Sequence, residues 1–193
     1  MIITKGCAVM WHKEDISAFN VVLKPLQQED LAQVLIWRNS PEVSSQMLDQ
    51  SEISPEQQQS WFERISSDPR QMQFVIYYKN QKVGACNLKS PTALAVAECD
   101  GLEAGFYLGE AKYRGTILAF FAALALNQYA FEQLAVKTLK AVVKSSNNAA
   151  LRFNEQLGYQ ADTVQPSEDM VAMTLIPQAH KQAAAKFATF IRN

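Results

Sequence analysis

Apolar and polar positions along the chain change period several times, and each change marks an element. Val21–Leu26 alternates with period two, as a half-buried strand does. Over Asp30–Arg38 the residues Leu31, Val34 and Leu35 recur at helical spacing. Asn39-Ser40-Pro41 stops that helix, because Pro41 disfavours helical geometry at Ser40. Ser54-Pro55-Glu56-Gln57 opens a second helix, with Ser at the N-cap, Pro at the first helical position and Gln at the third. It runs to about Ser66 and puts Trp61, Phe62 and Ile65 on one apolar side. Gln73–Tyr78 and Lys82–Leu88 read as strands of a hairpin around Lys79-Asn80-Gln81. Residues 89–102 read as a loop with a ragged strand extension. The pattern then predicts a strand at Glu103–Leu108, the longest helix at Thr116–Gln133, a strand at Thr138–Val143, a helix at Asn148–Leu157 and a last strand at Met170–Leu175. His180–Ile191 reads as a terminal helix with Phe187 and Phe190 on its apolar side, either a dimer contact or a lid on the sheet. Residues 1–18 have no clear period and read as a loose arm or an extra edge strand. The order of elements predicts one α/β layer structure with a mixed sheet.

Composition narrows the class. The chain has 193 residues, 48% hydrophobic and 19% charged, enough for one domain with a sizeable core. A net charge of −1 supplies no basic field for nucleic acid or an anionic membrane. The longest apolar run, Ile117–Leu126, is well short of the ~20 residues a membrane span needs. The N-terminus lacks the apolar core and cleavage site of a signal peptide. Cys7, Cys86 and Cys99 are scattered, with no CxxC, and His12 and His180 are far apart. No metal site is expected, no Ser/His/Asp arrangement can be built, and a reduced cytoplasmic compartment is the default. Cys86 reads as a small buried hydrophobe.

Two constellations carry candidate chemistry. In Glu103–Leu118 a strand ends, a short turn brings Lys112 and Arg114, Gly115 follows and a long helix begins. Unpartnered N–H groups and the dipole make a helix start partly positive. With two cations and a glycine that admits close backbone approach, the turn is suited to a pyrophosphate. Alternatively it is an ordinary strand–turn–helix link with solvated basic residues. In Ser145–Tyr159 a strand leads to Asn147, a natural helix cap, and the helix closes at Gly158.

Together these segments resemble two signature regions of the GNAT superfamily of acetyl-CoA-dependent N-acetyltransferases. Lys112-Tyr113-Arg114-Gly115-Thr116-Ile117 resembles the family's pyrophosphate turn at Lys112 and Gly115, and departs from it at Ile117, where a small residue is usual. Asn147, Ala150, Gly158 and Tyr159 match the later pattern, about 30 residues on. The resemblance implies a mixed, mostly antiparallel central sheet flanked by helices over residues 20–176, with an arm or extra strand at 1–19 and a C-terminal helix at 177–193. It implies acetyl-CoA as co-substrate, held by Phe106, Leu108, Lys112, Arg114, Gly115, Thr116, Ile117 and Asn147. Leu35–Met47 (LIWRNSPEVSSQM) is similar to two branches of that family, the PseH-type amino-sugar nucleotide N-acetyltransferases and the RimJ/RimL-like protein N-terminal acetyltransferases. The stretches SPEQQQSWFERISSDPRQMQFVIYY, VGACNL and YAFEQLAVKTLKAVV look more like the sugar branch. That implies a UDP-4-amino-4,6-dideoxy sugar as acceptor, a small-molecule amine met by Trp37, Arg38, Asn39, Met47, Trp61 and Asn87. Core packing for Trp37 and Trp61, and an ion pair for Arg38, are the alternatives.

The family reaction is direct attack of a neutral amine on the thioester in a ternary complex. Backbone N–H groups near the end of Glu103–Leu108 are implied to hold the thioester oxygen, and Glu103 and Tyr107 to take the amine's proton. Where members commonly carry a thiolate-protonating Tyr, this chain has Asn154, which does not titrate. General acid help contributes about 10²–10⁴ in rate and alignment of reactants ~7–11 kcal/mol, so activity can survive with Asn154 donating a hydrogen bond to sulfur or with water supplying the proton. Tyr113, Tyr129 and Tyr159 are possible substitutes. A non-catalytic CoA-binding module is the competing reading.

Overall fold

The strands Ile16–Ala18 (β1), Val21–Pro25 (β2), Gln71–Tyr78 (β3), Gln81–Lys89 (β4), Gly101–Leu108 (β5), Thr138–Lys144 (β6), Gln160–Ala161 (β7) and Met170–Leu175 (β8) form one sheet, ordered β1-β2-β3-β4-β5-β6-β8-β7, in the computed structural model, which describes residues 9–190. Every pairing is antiparallel except β5 with β6. Both hairpins turn on two residues of positive φ, Phe19-Asn20 (50° and 60°) and Lys79-Asn80 (48° and 61°). That hand of turn matches the twist of the strands it joins. The second turn is therefore two residues long, and Gln81 belongs to β4 rather than to the loop.

The helices are Leu31–Asn39 (α1), Pro41–Ser44 (α2), Pro55–Ile65 (α3), Ile117–Glu132 (α4), Asn148–Gln156 (α5) and Pro177–Ala188 (α6). Pro41 does end α1, and it also opens the single turn α2, because a proline's fixed φ and missing N–H suit a first helical position. The capping box expected at Ser54 and Gln57 is formed in full. Pro177, not His180, starts the last helix for the same reason that Pro55 starts α3. The short strand β7 was not legible in the hydrophobic pattern, since both of its residues are exposed.

The sheet separates two cores. On one face α4 buries Leu118, Phe121, Leu124 and Leu126 against Leu23, Phe74, Leu88 and Leu102, and α6 packs on α4. On the other, α1 and α3 bury Leu31, Val34, Trp37, Phe62 and Ile65 over Val75, with Tyr77 and Tyr107 at the margin. Lys82 of β4 reaches the carboxylate of Asp30, just before α1, at 2.6 Å. That pair ties the hairpin to the start of the helices on this face.

Residues 9–12 close the lower edge of the second core. Met10 is buried within it, the Trp11 N–H donates to the Ser66 carbonyl (2.7 Å), and the indole donates to the Gln71 carbonyl (2.9 Å). Past Pro25 strand β3 has no partner strand at Gln73 N–H, and His12 Nε2 accepts that hydrogen instead (3.1 Å). The imidazole must stay neutral to accept, and burial lowers it from 6.5 to about 4. The folded state thus binds fewer protons than the unfolded chain between those values, so stability falls as pH drops below 6.5. The expected loss between pH 7.5 and pH 5 is about 2 kcal/mol from this group. Urea unfolding at the two pH values measures it, and His12→Gln, whose carbonyl can accept without titrating, should flatten the difference.

Candidate active site

Strands β5 and β6 pair at only three positions, Gly101↔Thr138, Leu102↔Leu139 and Glu103↔Lys140. Beyond them β5 continues on β4 to Leu108, and β6 continues on β8 to Lys144, without meeting each other. A wedge opens between them. The Gly109 N–H bonds the Val83 carbonyl at 2.9 Å. Antiparallel alternation then sends Gly105 and Tyr107 to β4 for their hydrogen bonds, and turns the N–H groups of Phe106 and Leu108 to the wedge. Small residues Ala104, Ala123 and Ala141 keep it open, with Asn127, Asn154 and Tyr159 as its polar lining. The cavity among these residues has a volume of about 30 Å³.

The turn after β5 meets the mouth of the wedge. Gly115 has φ +69°, and a Cβ built there would meet nothing within 4 Å. The backbone therefore faces open space at this point. The N–H groups of Gly115 and Ile117 have no acceptor among the described residues, while Thr116 caps α4, its hydroxyl accepting from Leu118 N–H (3.3 Å). Ile117 is exposed beside this turn. Lys112 lies on the surface, with Nζ 3.2 Å from Gln81 and over the Tyr113 ring. The turn has the shape and donors for a diphosphate. Arg114 is engaged with its own turn. Its guanidinium donates to the carbonyls of Leu108 (3.1 Å) and Gly109 (2.6 Å) and lies 3.7 Å from Glu42, so it braces the turn from within.

Helix α5 borders the other side of the wedge. Asn147 caps it by accepting from Ala150 N–H at 3.1 Å. Asn154 Nδ2 donates to the sulfur of Met173, a buried residue of β8 (3.8 Å), so this amide already faces a sulfur. Of the substitute tyrosines, Tyr113 packs edge-on against Tyr78 and Tyr129 against Phe74, away from the wedge lining. Tyr159 does line it, but burial pushes its hydroxyl well above the usual range, and it donates to Asn127 Oδ1 (3.4 Å). It is a poor proton donor to a departing thiolate.

The opposite face of β4 and β5 carries the acceptor candidates. Glu103 is exposed and flanked in register by Lys89 and Lys140. Asn87 lies across from Gly105, its amide about where a side chain on that glycine would begin. Tyr107 is held in its protonated form. Burial raises its hydroxyl far above neutrality, only partly opposed by Arg38, so it remains a hydrogen-bond donor. Trp37 is 4% exposed, packs over Gly109 and donates to Glu110 Oε1 (3.0 Å), the core packing that was the alternative for this residue. Trp61 lies at the margin of the same core. The Asn39 amide is spent on the N–H and carbonyl of Ile53 (3.0 and 2.8 Å), fixing the segment 40–53 that carries Met47. Arg38 donates from Nη2 to the Asp49 carbonyl, and its buried Nη1 has no partner.

Four residues of the site were not anticipated: Asn127, Glu110, Lys144 and Phe153. Asn127, 2% exposed and inside the most apolar helix, is the one with a signal in the sequence, a lone polar residue in an apolar run. Lys144 reaches the Ser45 carbonyl (3.1 Å), and Phe153 stacks on Phe106 at 5.2 Å. Both depend on segments remote in sequence.

The wedge and its turn are the arrangement of an acyltransferase, and residues 20–160 match the model of the acetyltransferase (GNAT) domain, so the chain belongs to that family. Acetyltransferase PseH of Campylobacter jejuni is 26% identical over 132 residues, 68% of this chain and 77% of that protein. The fold is also that of FdhC, a nucleotide-linked sugar GNAT (TM-score 0.75, 16% identity, covering 94% of this chain and 100% of that one). Spermidine N-acetyltransferase from Vibrio cholerae, solved with CoA and spermine, superimposes with a TM-score of 0.75 at 15% identity, over 84% of this chain and 98% of that one. The mixed α/β fold and acyltransferase class expected from the sequence are both borne out. Among the described residues no helix is long and apolar enough to cross a membrane.

Proposed function

We propose that this acetyltransferase moves an acetyl group from acetyl-CoA to the 4-amino group of a nucleotide-linked 4-amino-4,6-dideoxy sugar. The observation that carries the donor half is the β5–β6 wedge ending on the open turn at Gly115. A pyrophosphate at Gly115 and Ile117 and a pantetheine arm in the wedge would bring the thioester to the N–H groups of Phe106 and Leu108. Donors aimed at a developing oxyanion are a large source of rate. Acetyl-CoA supplies an activated acyl group on a sulfur leaving group. Glu103 takes the amine proton, directly or through a water held by Asn87. Asn154 offers its amide hydrogen to the sulfur, as it does now to Met173.

The acceptor half is supported by the PseH and FdhC likenesses and by the polar sheet face around Glu103 and Asn87. The buried, unpartnered Arg38 Nη1 suits an acceptor oxygen. Lys89 and Lys140, flanking Glu103, suit an anionic carrier. The test is thiol release from acetyl-CoA with a panel: a UDP-4-amino-4,6-dideoxy sugar, peptides with free N-termini, and a polyamine. Turnover is expected on the amino-sugar nucleotide, with kcat/KM at least ten times that on either other class. Preference for peptides would support a protein N-terminal acetyltransferase instead. No turnover with intact CoA binding would support a binding module.

A further inference from the structure

We propose that Trp37, Glu110, Arg114 and Glu42 are positioning residues that couple the donor turn to the segment roofing the acceptor face. The inference rests on the reading of the Gly115 turn as the donor anion site. Two independent contacts cross from one side to the other. From α1, the Trp37 indole packs on Gly109 and its N–H donates to Glu110 at 3.0 Å, at the root of the turn. From α2, Glu42 stands 3.7 Å from the Arg114 guanidinium, which holds the Leu108 and Gly109 carbonyls. Arg114 immediately precedes Gly115.

The roof itself is anchored elsewhere, so a pull on α2 is transmitted along it. Asn39 grips Ile53, Arg38 grips the Asp49 carbonyl and Lys144 of β6 grips the Ser45 carbonyl. The segment 40–53 is therefore a strap fastened to α1, to β6 and, through Glu42, to the donor turn. An anion settling at Gly115 and Ile117 stiffens residues 109–117, and the two contacts pass that order to the strap. Coupling of two sites through shared ordering is reciprocal. A filled donor site would thus preorganise the acceptor roof, and an exposed ion pair such as Glu42–Arg114 suffices only because the Trp37 contact acts in parallel.

The test is amide hydrogen exchange with CoA as the probe. In wild type, saturating CoA should slow exchange at residues 41–53 by at least about fivefold, the low end of ordinary coupling. Glu42→Ala combined with Glu110→Ala removes the ion pair and the hydrogen bond without touching the donor N–H groups. At a CoA concentration that saturates this variant, the remote protection should fall to less than half of the wild-type factor, and Trp37→Phe, which keeps an aromatic ring but loses the N–H, should reduce it as well. A ligand-free arm stands apart from CoA. Glu110→Ala alone should speed exchange in 41–53, and Glu42→Ala alone should speed it in 109–117. Protection of 41–53 that persists in the double variant, or single variants whose effects stay local, would overturn the coupling. Wild type that fails to bind CoA would overturn the donor-site reading alone, leaving the ligand-free arm to decide the coupling.

Discussion

A Gly115→Asp variant is expected to bind CoA at least about 100-fold more weakly than wild type, with its fold intact. The added carboxylate would project into the open space beside the turn, where a Cβ meets no neighbouring atom. Asp tolerates positive φ better than most residues, so the backbone can remain at +69°. Two like charges about 4 Å apart repel by about 4 kcal/mol at an effective dielectric of 20, which corresponds to a factor of roughly 10³. Calorimetric titration with CoA measures the loss, and circular dichroism checks the fold. Gly115→Ala separates charge from shape: it adds strain and a methyl group but no repulsion, and its loss should be clearly smaller. Equal affinity for CoA in wild type and Gly115→Asp would remove this turn from the donor site.

Trp37→Ala should destabilise the protein by about 3–5 kcal/mol, the range for truncating a buried aromatic side chain. The indole is 4% exposed and fills the space between α1 and the backbone at Gly109. Its loss also leaves Glu110 without a donor and frees the root of the donor turn. Thermal and urea unfolding read the first effect. Reduced acetyl-CoA affinity in the still-folded fraction at low temperature reads the second. A variant with near-native stability would mean that the indole is a surface contact after all, contrary to its packing.

Much of this architecture was legible because the signals are local. The Ser54-Pro55-Glu56-Gln57 box, the α4 apolar run and the Asn147 cap need no distant partner, and each forms where the pattern put it. The turn at Lys112–Ile117 was legible for the same reason: a glycine before a helix start constrains a few adjacent backbone groups. Side-chain roles were less legible. Arg114 read as an anion ligand because it is a cation beside Gly115, yet two carbonyls of its own turn claim it. Trp37 read as either core or ligand, and packing against a glycine 72 positions away decided for the core. Tyr107 read as a base by resemblance, and only the fold shows that burial raises its hydroxyl and keeps it protonated.

By itself, then, the sequence determined most element types, the Lys79-Asn80 hairpin, the starts of α3, α4 and α5, and the family, because periodicity, caps and prolines act over a few residues. It also determined that Asn154 cannot supply a proton. Only the tertiary structure decided that β5 and β6 part after Glu103, that Asn154 faces a sulfur, and that Trp37 and Glu42 meet the turn after β5. Those facts depend on which residues are brought together across the sheet, and that is set by packing of whole elements rather than by any segment's own pattern.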